Sequence, residues 1–280
     1  MTVKIVTDSV ADLPSQVVEE LGITVIPLNV RFGEEVYRDG IDITTEQFYE
    51  RLTHSKIPPV TSVPSPQSFA DAYDKLAEET DEILVITLSS KLSGACEVAS
   101  QSIGLMKRKC RVEVIDSQWA VMAEGFVVIT ADKAARAGSS LDEVMGIAHR
   151  NIKRVDFRAV FDTLEYLRRG GRIGKAQALL GSMLKINPII TIKDGVVEPA
   201  GRTRSRAKAI DYLYDFAMSY ANIEEMAVED AACSDEADKL VEQLSSKFPR
   251  ERIYRSKTTP VIGTHTGPGL LLVAILGDKK

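Results

Sequence analysis

Two apolar runs that end in the same polar pair constrain this fold more than any other feature. They are Ile5-Val6-Thr7-Asp8-Ser9 and Glu113-Val114-Ile115-Asp116-Ser117. Each reads as a strand with Asp-Ser at its carboxyl end. Between them, Glu82 to Leu88 is apolar without alternation, the pattern of a strand buried on both faces of a parallel sheet. Helical stretches separate these strands. Pro14 opens one over Val17, Val18 and Leu21, and Thr45 to Leu52 carries Phe48, Tyr49 and Leu52 on one face until Pro58-Pro59. Another runs from Ser93-Gly94 toward Met106, and a small-residue helix spans Val121 to Ala137. Ile23 to Asn29 reads as a further strand. Strand and helix alternating in this way predict an α/β fold built on a largely parallel sheet. Polar residues at the carboxyl ends of such strands line the crevice where these sheets bind ligands, although Asp-Ser also serves simply to cap a helix.

The second half has a different pattern. Ala159 to Phe161 reads as a short strand, Thr163 to Arg169 as a helix stopped by Gly170-Gly171, and Gln177 to Leu184 as helical. Ile186 to Lys193 and Val196 to Glu198 flank Asp194-Gly195, a strong hairpin signal. Helices are expected at Ser205 to Tyr220 and Glu236 to Phe248. Strands are expected at Glu225 to Val228, Arg252 to Tyr254 and Thr259 to Ile262, with a last apolar helix opened by Gly267-Pro268-Gly269. At about 150 residues per domain, 280 residues suggest two. The expected division is an α/β domain over 1–155 and a second α/β domain, an α+β layer, over 156–280.

Several functions are excluded by what the chain lacks. Lys and Arg total 35 against 40 Asp and Glu, a net charge of −5, which is wrong for a protein whose main partner is a nucleic-acid backbone. The longest apolar run, Leu270 to Leu276, is far short of the roughly 18–20 residues of a membrane span. Three scattered cysteines make no disulfide framework, and no signal-like segment opens the chain, so a cytoplasmic location is expected. No G-x-G-x-x-G follows a strand, and Gly174-Lys175 fails as a phosphate loop. The three histidines lie about 100 residues apart without metal-ligand spacing, so neither a metal nor a cofactor is expected. No G-x-S-x-G elbow occurs, and the Ser-x-x-Lys pairs at 182–185 and 205–208 arise readily by chance.

Three short segments carry candidate chemistry. Thr61-Ser62-Val63-Pro64-Ser65-Pro66 and Ser89-Ser90-Lys91-Leu92-Ser93-Gly94 each place hydroxyls before a helix, where free backbone N–H groups can cradle an anion. N-capping by a spare serine explains the same residues. The third, Gly263-Thr264-His265-Thr266-Gly267-Pro268-Gly269, sets a histidine in a Gly-rich loop. Six arginines in the stretches 168–172 and 202–206 suggest a positive patch for an anionic ligand or an acidic partner, or else a solvated ion-pair network.

Taken together these segments resemble the DegV family of bacterial proteins, which includes the fatty-acid-binding subunits (FakB) of fatty acid kinase. The landmarks are KIVTDSVADLP at 4–14, TSVPSP at 61–66, SSKLSG at 89–94, IDS at 115–117, DTLEYLRRGGRIG at 162–174, RTRSRAKA at 202–209 and GTHTGPG at 263–269. Ala95-Cys96 and the polar helix start Val121 to Gly125 depart from the family pattern. The resemblance implies a long-chain fatty acid in an apolar tunnel between two α/β domains. Its carboxylate would be held by Thr61 and Ser93, with Ser62, Gly94 and His265 beside them. It also implies a carrier without catalytic residues of its own, which presents the carboxylate to a separate kinase subunit for acyl-phosphate formation and so feeds phospholipid synthesis. Arg169, Arg172 and Arg202 would dock that partner. The other reading of the residues is an acyl hydrolase or acyltransferase with Ser93 as nucleophile, His265 as base and Asp8 or Asp116 as orienter.

Overall fold

A computed structural model describes residues 2–182 and 186–280. Four strands, β1 (Lys4–Asp8), β2 (Thr24–Ile26), β6 (Glu82–Thr87) and β7 (Arg111–Asp116), form a parallel sheet in the order β2-β1-β6-β7. A small antiparallel sheet, β4-β3-β5, comprises β3 (Asn29–Phe32), β4 (Glu35–Arg38) and β5 (Val60–Ser62). The remaining strands are β8 (Val155–Val160), β9 (Asn187–Lys193), β10 (Val196–Thr203), β11 (Tyr220–Asp230), β12 (Ile253–Lys257) and β13 (Leu271–Lys279). They make a six-stranded mixed sheet in the order β10-β9-β8-β13-β11-β12.

The layers follow from which faces are apolar. Helix Val121–Arg136 buries twelve of its sixteen residues. A helix apolar all round belongs in the interior, and this one touches β1 and β6 on one side and β8, β11 and β13 on the other. One continuous core therefore runs from Ile5 and Leu84 through Phe126 and Val127 to Phe157 and Ala274. On its far face the parallel sheet packs Val6 and Val85 against Phe69 and Tyr73 of helix Pro66–Leu76. The far face of the large sheet packs Val228 and Val273 against Leu213 and Phe216 of helix Arg206–Met218 and Leu240 of helix Ser234–Leu244. Gly125 lets helix Val121–Arg136 approach the turn after β1 closely: a Cβ there would lie 2.8 Å from the Ala11 carbonyl oxygen.

The α/β class and the strand–helix alternation of the first half are as expected, and so is the Asp194-Gly195 hairpin. Other elements differ. Ile23 to Asn29 is two strands in two sheets, because Pro27 lacks an N–H and interrupts the ladder. Thr61 and Ser62 lie on strand β5 and not in a loop. Thr259 to Ile262 is no strand; it belongs to helix Pro260–Thr266, so His265 sits near a helix end and not in a Gly-rich loop. The apolar run after Gly269 is strand β13, not a helix. It pairs antiparallel with both β8 and β11, and helices Val121–Arg136 and Arg206–Met218 cover its two faces. Helix Leu141–Ile152, opened by a Ser140–Glu143 capping box, was not anticipated. The segment 177–184 is in 3₁₀ conformation through Ser182; its remainder, with the end of the Ser182–Lys185 pair, lies outside the described residues.

Candidate functional site

An apolar cavity lies between the central helix, the large sheet and the loops that carry the candidate hydroxyls. Strands β8 and β9 supply Phe157, Ala159, Ile190 and Ile192, each alternating toward the same face. The space open to the centre of a water-sized sphere is ≈ 140 Å³. A single water needs roughly 10–15 Å³ by that measure, so the cavity suits a guest of many atoms. Polar side chains gather at one end. β5 contributes Thr61 and Ser62, the loop after β6 contributes Ser93 and Gly94, and helix Pro260–Thr266 contributes His265; Arg172 completes the rim.

Thr61 Oγ1 and His265 Nε2 are hydrogen-bonded at 2.8 Å, joining two elements some two hundred residues apart. Burial, with a smaller contribution from the Arg172 charge, lowers the His265 pKa to about 4. The imidazole is therefore neutral at physiological pH and offers a hydrogen bond without a fixed charge. Its Nδ1 is buried and has no hydrogen-bond partner among the described residues. Gly170 makes room for this ring, since a Cβ there would lie 2.2 Å from Nδ1. The Ser93 loop is held from several directions. Ser93 Oγ accepts from the Ala95 N–H at 3.3 Å, and Asp116 accepts from the Ser90 N–H at 3.2 Å. Ser89 Oγ donates to the Gly195 carbonyl at 2.8 Å, and Lys91 Nζ to the Asp194 carbonyl at 2.8 Å, so the hairpin tip clips the loop in place. Arg172 Nε donates to the Leu92 carbonyl at 3.1 Å.

The structure thus brings Thr61, Ser62, Ser93, Gly94, His265 and Arg172 to one cavity. Thr61, Arg172 and His265 also line an adjoining surface groove with Lys56 and Arg169. Arg202 is exposed and lines neither. The arginine stretches are less free than six neighbouring cations would be. Arg168 and Arg169 share Glu165, while Arg206 is half-buried against Glu236. Ser205 Oγ caps its helix by accepting from the Lys208 N–H. The triad Ser93–His265–Asp does not assemble: His265 bonds Thr61, Asp116 is occupied by the Ser90 loop, and Asp8 accepts the Val10 and Leu88 amides. Among the described residues no group of His, Cys, Asp and Glu is arranged to hold a metal ion, and no helix is long and apolar enough to cross a membrane.

Sequence reasoning missed the clip made by Ser89, Lys91 and the hairpin tip, because hydrogen bonds to distant carbonyls leave no local signature. It also missed Gly170, which looks like a helix stop yet serves as space for a ring. The cavity walls look like ordinary core residues.

The match to the family model settles the relationship. That model, described as the uncharacterised DegV family, covers residues 2–278. The chain belongs to the DegV family. A DegV domain-containing protein of Streptomyces coelicolor is 37% identical over 277 residues, 98% of each chain. Among solved structures, a fatty-acid-binding DegV family protein of Thermus thermophilus is 33% identical, with a TM-score of 0.90 over 99% of this chain and 100% of that one. DegV of Bacillus subtilis, described as a fatty acid binding protein, is 33% identical with a TM-score of 0.89, covering 99% of each chain.

Proposed function

We propose that this protein is a non-catalytic carrier of a long-chain fatty acid. In this reading the acyl chain lies in a tunnel formed by the apolar cavity between residues 1–155 and 156–280, and the carboxylate rests against Thr61, Ser62, Ser93, Gly94 and His265. The observation that carries it is the cavity's polarity: its walls are apolar, and Thr61 and His265, bonded to each other, line both the cavity and the adjoining groove. Burying about 15 methylenes at roughly 0.8 kcal/mol each gives about 12 kcal/mol gross. Loss of chain and translational freedom offsets a good part of that. Affinity then comes from the tail, while the few polar groups decide which end faces out. Neutral donors accommodate either a carboxylate or an acyl phosphate, which suits a carrier that presents its carboxyl group to a separate cytoplasmic fatty acid kinase feeding phospholipid synthesis. Arg169 and Arg172, on the groove, with Arg202 outside it, are the proposed docking residues.

Native mass spectrometry of purified protein is expected to show one co-bound mass in the fatty-acid range. A protein that stays empty after incubation with long-chain acids overturns the reading. The double substitution Thr61→Ala, Ser93→Ala is expected to weaken fatty-acid binding about tenfold or more with an unchanged circular dichroism spectrum; unchanged affinity would mean that the carboxylate sits elsewhere. Mixing the loaded protein with a fatty acid kinase and ATP is expected to yield acyl phosphate, and Arg172→Ala to slow that transfer.

A further inference from the structure

One wall of the cavity is shaped by buried carboxyl groups that do not themselves line it. Asp8, at the end of β1, accepts the Val10 N–H at 3.0 Å and the Leu88 N–H at 2.9 Å. Asp39, after β4, accepts from Ser9 Oγ at 2.7 Å, and Ser9 Oγ in turn accepts the Leu28 N–H at 3.1 Å. Asp12 accepts the Thr259 N–H at 3.1 Å, two residues before Val261. Glu229, on β11, accepts the Met122 N–H at 2.7 Å. Val121, just before it, has a φ of +57°, a costly conformation for a β-branched residue that persists only where surrounding contacts hold it. Val10, Leu28, Leu88, Val121 and Val261 all line the cavity. Four carboxyls from four places in the fold thus pin the backbone behind five wall residues.

These carboxyls are short of cations. All four are at least nine-tenths buried. Asp12 Oδ2, Asp39 Oδ1 and Glu229 Oε2 make no well-aligned hydrogen bond among the described residues, although the Thr259 hydroxyl lies beside Asp12 and Asp39 and the Asp12 carboxyl lies beside Glu229. Besides one another, the groups that face them are mostly acids: Glu124 from the central helix faces Asp8 and Asp12, Asp230 from β11 faces Glu229, and the Cys96 thiol faces Asp8. Arg255 of β12 is the cation facing Glu229, and it is committed to Asp230 and Asp238. Tyr49 faces Asp12 and Asp230 as a neutral phenol bonded to Thr258. Burial raises Asp8 and Asp39 to about 7 and Glu229 to about 8, and burial with the Glu229 charge lifts Asp12 well above the ordinary range. Ionising such oxygens is costly in a buried setting.

We infer that Asp8, Asp12, Asp39 and Glu229 act together as a protonation-dependent mould for the cavity wall: while they keep their protons the wall holds its shape. Losing them sets buried like charges against one another behind it, a repulsion that outweighs the stronger bonds an ionised carboxylate accepts from the amides, so the wall loosens and its grip on the guest weakens. Glu229 is a positioning residue that acts through Met122 and Val121. The part of this inference that concerns the guest rests on the fatty-acid reading.

Two measurements on the full-length protein test it. The first is the affinity for the fluorescent fatty acid cis-parinaric acid between pH 6 and 10. Wild type is expected to be flat to about pH 7 and then to weaken, by about tenfold per pH unit for each proton released. Glu229→Gln keeps the acceptor for the Met122 amide and cannot ionise, so it is expected to flatten that profile, as is Asp12→Asn. A flat wild-type profile, or variants that follow the wild-type slope, overturns the mould. The second is hydrogen exchange of the wild-type protein, corrected for intrinsic rates. The Val10, Leu28, Leu88, Met122 and Thr259 amides are expected to lose protection together above pH 7. If the probe does not bind at pH 7 yet these amides open together, the mould stands and the carrier reading fails. If they stay protected to pH 10, the mould fails whatever the probe does.

Discussion

Gly170 shows how one residue serves the site by being absent as a side chain. Its φ is −75°, which any residue adopts, so its role is space and not backbone freedom. Adding a Cβ at 2.2 Å from His265 Nδ1 drives the ring off Thr61, because the two atoms cannot share that volume. If the protein is the proposed fatty-acid carrier, Gly170→Ala is therefore expected to weaken that binding about tenfold, roughly 1.4 kcal/mol, as measured by titration with a fluorescent acid. The thermal midpoint should move little, since the substitution strains no dihedral. A large loss of stability with unchanged affinity would place the role of Gly170 in folding. His265 was legible as a candidate from its Gly-rich segment and from the family resemblance. Its hydrogen bond to Thr61 was not, because nothing local to either segment reports on a partner two hundred residues away.

At the scale of elements, the central helix is the most demanding piece. Its first nine residues are buried on all sides, so it meets the turn at Ser9–Ala11 without room to spare. Gly125→Ala places a methyl group 2.8 Å from the Ala11 carbonyl oxygen and 3.1 Å from Leu13 and Met122 side chains. Overpacking of this kind costs about 1–3 kcal/mol, which outweighs the gain of about 0.5–1 kcal/mol from replacing glycine in a helix. A chemical denaturation curve is expected to shift to lower denaturant; a shift upward would mean that the turn yields easily. Strand and helix could be told apart where periodicity was long, as over Arg206–Met218, or where a strand was buried and flanked by turns, as over Glu82–Thr87. Leu270 to Leu276 resisted that reading. Seven apolar residues fit a buried strand and a buried helix equally, and only its place between β8 and β11 makes it a strand. Ser140 and Glu143 carry a capping signal for helix Leu141–Ile152 in the sequence itself.

For the whole molecule, the buried carboxyls make stability depend on pH in a definite direction. In the unfolded chain Asp and Glu titrate near pH 4, whereas in the fold Asp8 and Asp39 titrate near 7 and Glu229 near 8. Between those limits the folded state binds more protons, so its stability falls as pH rises from about 4 through 8. His265 acts the other way: its folded pKa of about 4 removes stability as pH drops below 6.5. Comparing wild type with Asp39→Asn between pH 6.5 and pH 8.5 separates the two, because the His265 contribution is the same in both proteins and cancels. Wild type is expected to be less stable at the higher pH, and Asp39→Asn to lose less on the same change; equal losses would refute the assignment. The alternation of strands and helices, the hairpin and the hydroxyl-bearing segments could all be read directly, because they depend on neighbours in the chain. The cavity could not. Its walls come from β8, β9, the central helix and helix Pro260–Thr266, and an apolar side chain facing a void has the same sequence pattern as one facing the core. Which hydroxyl meets which imidazole, and which buried acid supports which wall, depends on contacts between distant segments that exist only once the chain has folded.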